Sequence, residues 1–357
     1  MKAGNEKLNE RSGFTIIELL TVMGIIAILI GLLVPALNLV KEYSKELEQK
    51  AQFHSIDAAI GMFSAEDRYG RYPESDDNAD PYTGDGFNPH DWDPTPYCGA
   101  NKLAEAIVGW DLLGYHPNSD FRSDGGFRHP NGDGFMGEAT LGAYHANEDY
   151  NGQPDSGAPL NPLYAETAGA NVKARWGPLV ELENANAYRM ADVYDPCEVI
   201  EGPGIGGAAG FGPTSYVLCD VFAKKRHAGK KTGMPILYYR ARTEYTEQDS
   251  DDENGNEILN DIYFYPDNFN LLALGSPENP EHRHPLANNL TGDGGSLTAG
   301  SPIVDSRFDW ADFDSMILNP QVTTIKRPYR AGSYILVSAG KDGLYGTPDD
   351  LFNFDKE

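Results

Sequence analysis

Positive charge is what this chain has least of. Its 357 residues carry 28 Lys and Arg against 54 Asp and Glu, a net charge of −26. A nucleic-acid binder requires a basic footprint, so that class of partner is excluded. Charge this negative repels itself and invites divalent cations, and bound Ca²⁺ would help compactness. Cysteine is scarce too. Cys98, Cys197 and Cys219 are widely spaced, form no C-x-x-C and offer no zinc spacing. Outside the cytoplasm one disulfide could form, with all three pairings open, and free buried thiols fit equally well. Enzyme signatures are missing as well: H-E-x-x-H, G-x-S-x-G and the P-loop do not occur, so the expected role is not catalytic. Long apolar runs are lacking everywhere except at one place.

That place is residues 14–37. As a helix rising about 1.5 Å per residue the run spans about 36 Å, enough to cross a hydrocarbon core of about 30 Å. A secretory signal peptide fits poorly, because the run is too long and Leu33-Val34-Pro35-Ala36-Leu37 has no A-x-A character. Lys2, Lys7 and Arg11 outweigh Glu6 and Glu10 in the leader, which keeps that end cytoplasmic and the remainder outside, a single-pass arrangement. A plain anchor leaves Glu18 unexplained. An ionised carboxylate in a spanning helix costs about 2.5–3.5 kcal/mol at the centre and less near an end, and such charges mark paired positions. The run holds no Lys, Arg or His, so a partner from another chain is the economical reading.

The string Gly13-Phe14-Thr15-Ile16-Ile17-Glu18-Leu19-Leu20, followed by an apolar helix carrying Pro35, resembles the N-terminus of type IV pilins and type II secretion pseudopilins. The resemblance implies several things. A prepilin peptidase would cut between Gly13 and Phe14, and Phe14 would become an N-methylated first residue. Glu18 would pair with the Phe14 ammonium of a neighbouring subunit. The chain would leave the inner membrane through an assembly platform, joining other pilin or pseudopilin subunits in a pseudopilus or pilus-like filament. Glu18 also argues against the filament-tip subunit, which in this family commonly lacks that acid. Gly24, Gly31 and Pro35 predict a kink near residues 31–35, since proline removes a backbone donor and clashes with the preceding turn. The resemblance implies local melting there in filaments; an ordinary kinked anchor fits the same residues.

Beyond the run, Val40, Tyr43, Leu47, Ala51, Ile56, Ile60 and Phe63 continue the helical period as one apolar face. This amphipathic half, residues 38–72, is expected to stay helical to about Arg68, with Gly70 and Pro73 ending it. Residues 73–213 read as a loop-rich insertion dense in Gly, Pro, Asn and Asp, with one short helix over 101–113. Tyr82, Phe87, Trp92, Tyr97, Tyr115, Phe121 and Phe127 argue for partial order within it. Residues 214–357 carry strand signals at 214–222, 233–240, 262–265 and 333–338, separated by turn residues. One long helix laid on an antiparallel sheet gives an α+β fold.

The second candidate site is Ser338-Ala339-Gly340-Lys341-Asp342-Gly343-Leu344-Tyr345-Gly346-Thr347-Pro348-Asp349-Asp350. A glycine-permitted turn can fold Asp342 back onto Asp349 and Asp350, and Ca²⁺ takes six to eight hard oxygen ligands. An acidic exposed turn is the alternative from composition alone. The loop resembles the calcium site near the C-terminus of major type II secretion pseudopilins. That resemblance implies Asp342, Asp349 and Asp350 as carboxylate ligands and Ala339, Leu344 and Thr347 as carbonyl ligands. Residues 249–257 resemble an EF-hand loop with the glycine out of register and read as a solvated loop. His116, His129, His282 and His284 lack ligand spacing and read as surface residues. Two other roles are compatible with the enlarged head: a minor pilin whose head binds a polymer or surface ligand, or, less economically, an anchored hydrolase.

Overall fold

The computed structural model describes residues 15–67, 69–77, 96–117, 119, 121–123, 144, 173–195, 211–212, 214–226, 229–248, 261–277, 284–286 and 311–356. The chain divides into two units, residues 1–47 and 48–357. Helix α1, Ile16–Glu66, contributes to both. Among the described residues it is the one helix long and apolar enough to cross a membrane. In the first unit its side chains are exposed, Ile16, Leu20, Ile28 and Leu32 among them. The helix is continuous through Pro35. The proline ring removes a single backbone donor there, and the turns on either side keep their own bonds.

In the second unit α1 buries Gln49, Gln52, Phe53, Ile56, Ala59, Ile60 and Phe63. The steps of three and four put these on one stripe, as the period predicts. Of the residues expected on that face, Val40, Tyr43, Leu47 and Ala51 are exposed, and two glutamines enter the stripe instead. Their amides explain why. Gln52 Nε2 donates to the Cys219 carbonyl at 2.8 Å, and Gln49 Oε1 accepts the Val221 N–H at 2.9 Å. Strand β1, Ala187–Arg189, pairs antiparallel with β2, Tyr216–Leu218, and reaches no further along the chain than Leu218. The glutamines supply partners where that ladder runs out. The helix ends near the expected place, and Ser64 Oγ donates to the carbonyl of Gly70, whose φ of +66° turns the chain away.

The main sheet is three-stranded and antiparallel: β5, Leu237–Arg240, then β6, Tyr334–Ser338, then β7, Leu351–Phe352. Leu237 faces Val337 and Arg240 faces Tyr334 across the first pair. Successive side chains point to opposite faces. Tyr238 and Leu336 pack with Phe53, Ile56 and Ile60 of α1 and with Leu103 and Ile107 of α2, Gly99–Val108. Tyr239, Ile335 and Val337 pack on the other side with Tyr263, Phe269, Leu272 and Phe313. Both faces are covered, which is why β6 is buried at every position and reads as an unbroken apolar run. A small hairpin, β3 (Lys224–Lys225) with β4 (Lys231–Thr232), stands apart from this sheet. The architecture is the expected α+β one.

Three expectations are corrected. Residues 262–265 form no strand: Ile262, Tyr263 and Phe264 are buried chain leading into a 3-10 turn, Tyr265–Asn268, and a helix, Phe269–Ala273. Pro266 stands at the start of that turn, where its missing N–H costs nothing. The helix expected over 101–113 starts earlier and stops at Val108, because Gly109 takes φ +88°. All ten of its residues are buried, so α2 belongs to the core of the second unit and not to a surface loop. His116 and His284, expected at the surface, are 3% and 0% exposed. His129 and His282 lie outside the described residues, as do residues 249–257 and the aromatics Tyr82, Phe87, Trp92 and Phe127. Cys98 and Cys219 are buried free thiols, and Cys197 is outside the described residues.

Candidate functional site

Of the N-terminal site residues, Gly13 and Phe14 lie outside the described residues, and Thr15 and Glu18 are described. Thr15 immediately precedes α1, with Glu18 in its first turn. A helix start leaves backbone donors without intrahelical partners. Here Thr15 N–H donates to Glu18 Oε2 at 2.9 Å, and Glu18 N–H returns to Thr15 Oγ1 at 3.3 Å. The Thr15 hydroxyl donates to the same Glu18 oxygen at 2.8 Å. This is a reciprocal capping box, and T-x-x-E is its sequence signature. It gives the carboxylate local donors within its own chain, a feature the apolar reading of the run conceals. The first-turn position also sets the negative charge at the positive end of the helix dipole.

The C-terminal loop joins β6 to β7. Its base is fixed by Asp220, buried beside β2: Oδ1 accepts N–H from Phe222 and Met234, both at 3.1 Å, and Oδ2 accepts the Ser338 hydroxyl at 2.9 Å. Ser338 Oγ in turn accepts Gly340 N–H at 3.2 Å. Gly340 has φ +62°, and a Cβ there would sit 2.2 Å from the Asp349 carbonyl, so only glycine lets the two limbs close. On the far side the Tyr345 hydroxyl donates to the Pro235 carbonyl, and the Tyr345 carbonyl accepts Leu286 N–H at 3.0 Å. His284, buried against the Tyr345 ring, accepts that residue's N–H at its Nδ1.

Within the loop Asp342 and Asp349 are brought together. Asp349 Oδ2 accepts Asp342 N–H at 3.0 Å, the Thr347 hydroxyl donates to Asp349 Oδ1, and Asp342 Oδ1 accepts Leu344 N–H at 2.8 Å. Burial raises the Asp342 carboxyl above its ordinary range, with the Asp349 charge adding to it. Burial also acts against Asp349, but the Thr347 hydroxyl and the Asp342 amide outweigh it and hold that carboxyl low. Asp350 is the most enclosed of the three: Oδ2 accepts Gly346 N–H at 2.7 Å, while Oδ1 is buried with no hydrogen-bond partner. Burial pushes its carboxyl up to about 8. Of the other expected ligands, the Leu344 carbonyl lies 3.3 Å from the Thr347 hydroxyl oxygen, the Thr347 carbonyl takes Asp350 N–H, and Ala339 is buried at the end of β6. Among the described residues no three His, Cys, Asp or Glu side chains are gathered closely enough to hold a metal as they stand. The donor set nonetheless suits a hard cation: all oxygen, anionic, on glycine-permitted turns, with one buried carboxylate oxygen lacking a donor.

A family model described as the prokaryotic N-terminal methylation motif matches residues 8–34. A curated relative, prepilin peptidase-dependent protein A of Clostridium perfringens (strain 13 / Type A), is 38% identical over 65 residues, 18% of this chain and 46% of the relative. The chain therefore spans slightly less than half the length of that relative. No solved structure matches.

Proposed function

We propose that this chain, type IV pilin- or pseudopilin-like through its N-terminal segment, is processed after Gly13 and polymerised as a structural filament subunit. Prepilin peptidase would free the Phe14 amine and methylate it, and residues 14–37 would hold the subunit in the inner membrane with its head outside until the assembly platform extracts it. The filament would be a type II secretion pseudopilus or a type IV pilus-like fibre. One observation carries this reading: Glu18 stands in an apolar run that contains no cation, and among the described residues its carboxylate takes the neutral donors of Thr15. A charge-assisted pair with a neighbour's ammonium would be the strongest contact available to it in a dry filament core. Such a contact repeats head to tail without closing, as filament growth requires.

The test has two arms. Mass spectrometry of the native N-terminus should find a methylated phenylalanine at position 14, and a chain retaining its first residues overturns processing. Glu18→Ala should be processed normally yet fail to enter filaments; ordinary incorporation of that variant rejects the pairing role. The binding-module alternative gains no support among the described residues, because Tyr97, Tyr115, Phe121 and Tyr144 are buried and present no aromatic surface.

We further propose that the C-terminal loop binds Ca²⁺ through the carboxylates of Asp342, Asp349 and Asp350 and the carbonyls of Ala339, Leu344 and Thr347. The unpartnered Asp350 Oδ1 supports this. The ion would neutralise carboxylates that otherwise oppose one another and so stiffen the outer end of the sheet.

A further inference from the structure

The β3–β4 hairpin lies more than a hundred residues before the C-terminal loop in sequence, yet it meets it directly. Lys224 Nζ donates to the Asp342 carbonyl at 2.8 Å. The same ammonium lies 3.5 Å from where a Cβ on Gly343 would be, so it sits over the turn itself. Lys224 is half-buried, whereas Lys225, next along the same strand, is exposed and points to the other face. The loop under this ammonium carries three carboxylates, one with a buried oxygen that has no hydrogen-bond donor. A fixed positive charge at that position lowers their mutual repulsion, and it raises the energy of any second cation brought to them.

We infer that Lys224 is a built-in counter-cation of the C-terminal loop: it holds the loop closed when no metal is present and opposes a divalent cation that enters. It acts in addition to Lys341 within the loop and Lys356, whose charge acts on Asp350. The second half of this inference rests on the calcium reading above; the first half does not. A chain with a net charge of −26 gains from such a device, because the loop keeps its shape before it reaches a calcium-rich compartment. The site is thereby biased toward the higher calcium concentrations found outside cells, since its affinity is set against a resident charge.

The experiment compares the full-length chain in detergent with Lys224→Met, Lys224→Arg and Lys225→Met. Melting in EDTA and calorimetric titration with CaCl₂ are measured for each. Lys224→Met should melt about 1–3 °C lower in EDTA, the scale of a partly exposed charge contact. It should also bind Ca²⁺ about three- to tenfold more tightly, as expected for removing a like charge several ångströms away in a high-dielectric setting. Lys224→Arg should behave as the native chain. Lys225→Met, which removes the same charge from the same strand, should change neither quantity. An unaltered EDTA melting curve for Lys224→Met overturns the counter-cation, and an unaltered calcium affinity overturns the opposition. Titrations without heat in every variant overturn the calcium reading and the opposition together, while the EDTA comparison still decides the counter-cation.

Discussion

The Thr15 hydroxyl donates to Glu18 Oε2 at 2.8 Å, and the Glu18 amide bonds back to that hydroxyl at 3.3 Å. The carboxylate expected to await a neighbour's ammonium is therefore already engaged at home. A subunit in lipid would have its charge solvated by Thr15, which lowers the cost of carrying it there. Losing such a cap costs about 1 kcal/mol of helix stability. Thr15→Val should raise hydrogen exchange at the amides of residues 15–19 in micelles by about fivefold, and Thr15→Ser should restore protection. Equal exchange in all three forms would mean that the capping box contributes nothing.

Gln52 tests how the spine of the second unit is joined to its sheet. Its side-chain amide is the partner of the Cys219 carbonyl within a stripe that is apolar apart from Gln49 and Gln52. Gln52→Leu suits the apolar face but leaves a buried carbonyl unsatisfied, which costs about 1–3 kcal/mol. We expect urea unfolding of the full-length chain in detergent to show that loss. Gln52→Glu should do worse, because it replaces a donor with a charge. Native stability in the leucine variant would show that the carbonyl finds another donor.

What the sequence disclosed and what it hid follow from pattern. Helix α1 was legible because apolar residues run continuously and then fall at steps of three and four. Strands β5 and β6 were legible as apolar runs because both of their faces are covered. The stretch 262–265 misled for the same reason: burial on all sides makes turn and strand look alike, and only Pro266 hints at the difference. Helix α2 was misplaced because its polar residues Asn101, Lys102 and Glu105 are all buried, so no solvent face marks its limits. At the candidate sites, the clustered Asp342, Asp349 and Asp350 were visible in the chain. Lys224, Asp220 and His284 were not, since their contact with the loop is made only by folding.

Calcium should act on stability as a ligand of the folded state does. At a free concentration 10–100 times Kd, binding adds about 1.4–2.7 kcal/mol. EDTA should therefore lower the melting temperature of the native chain, and excess CaCl₂ should restore it. Asp349→Ala and Asp350→Ala should melt at one temperature in either condition. Identical curves with and without the chelator for the native chain dispose of the site.

The last prediction concerns a carboxylate that belongs to neither site. Glu105, on α2, is 1% exposed and accepts hydroxyls from Tyr97 at 2.7 Å, Tyr144 at 2.8 Å and Ser119. Burial dominates and pushes its carboxyl up to about 7, although the three hydroxyls and the charge of Lys102 favour ionisation. Lys102 itself is paired with Asp76, and the buried Arg175 side chain binds Asp111 and the Tyr144 carbonyl. The folded value lies above the unfolded one near 4.5, so the folded chain binds the proton more tightly. Its stabilising contribution is complete below about pH 4.5 and is lost as pH rises through about 7. His116, whose burial lowers its affinity for a proton, works in the opposite sense on the acid side, and the buried Asp220, Asp267 and Asp350, whose carboxyls are likewise raised, act in the same sense as Glu105, so a single pH curve mixes them all. The difference between native and Glu105→Gln chains separates them. Across pH 4.5–7.5 the native chain should lose about 1–3 kcal/mol relative to the variant in equilibrium unfolding. A constant difference over that range would show that Glu105 titrates alike folded and unfolded, and that the hydroxyls around it compensate its burial in full.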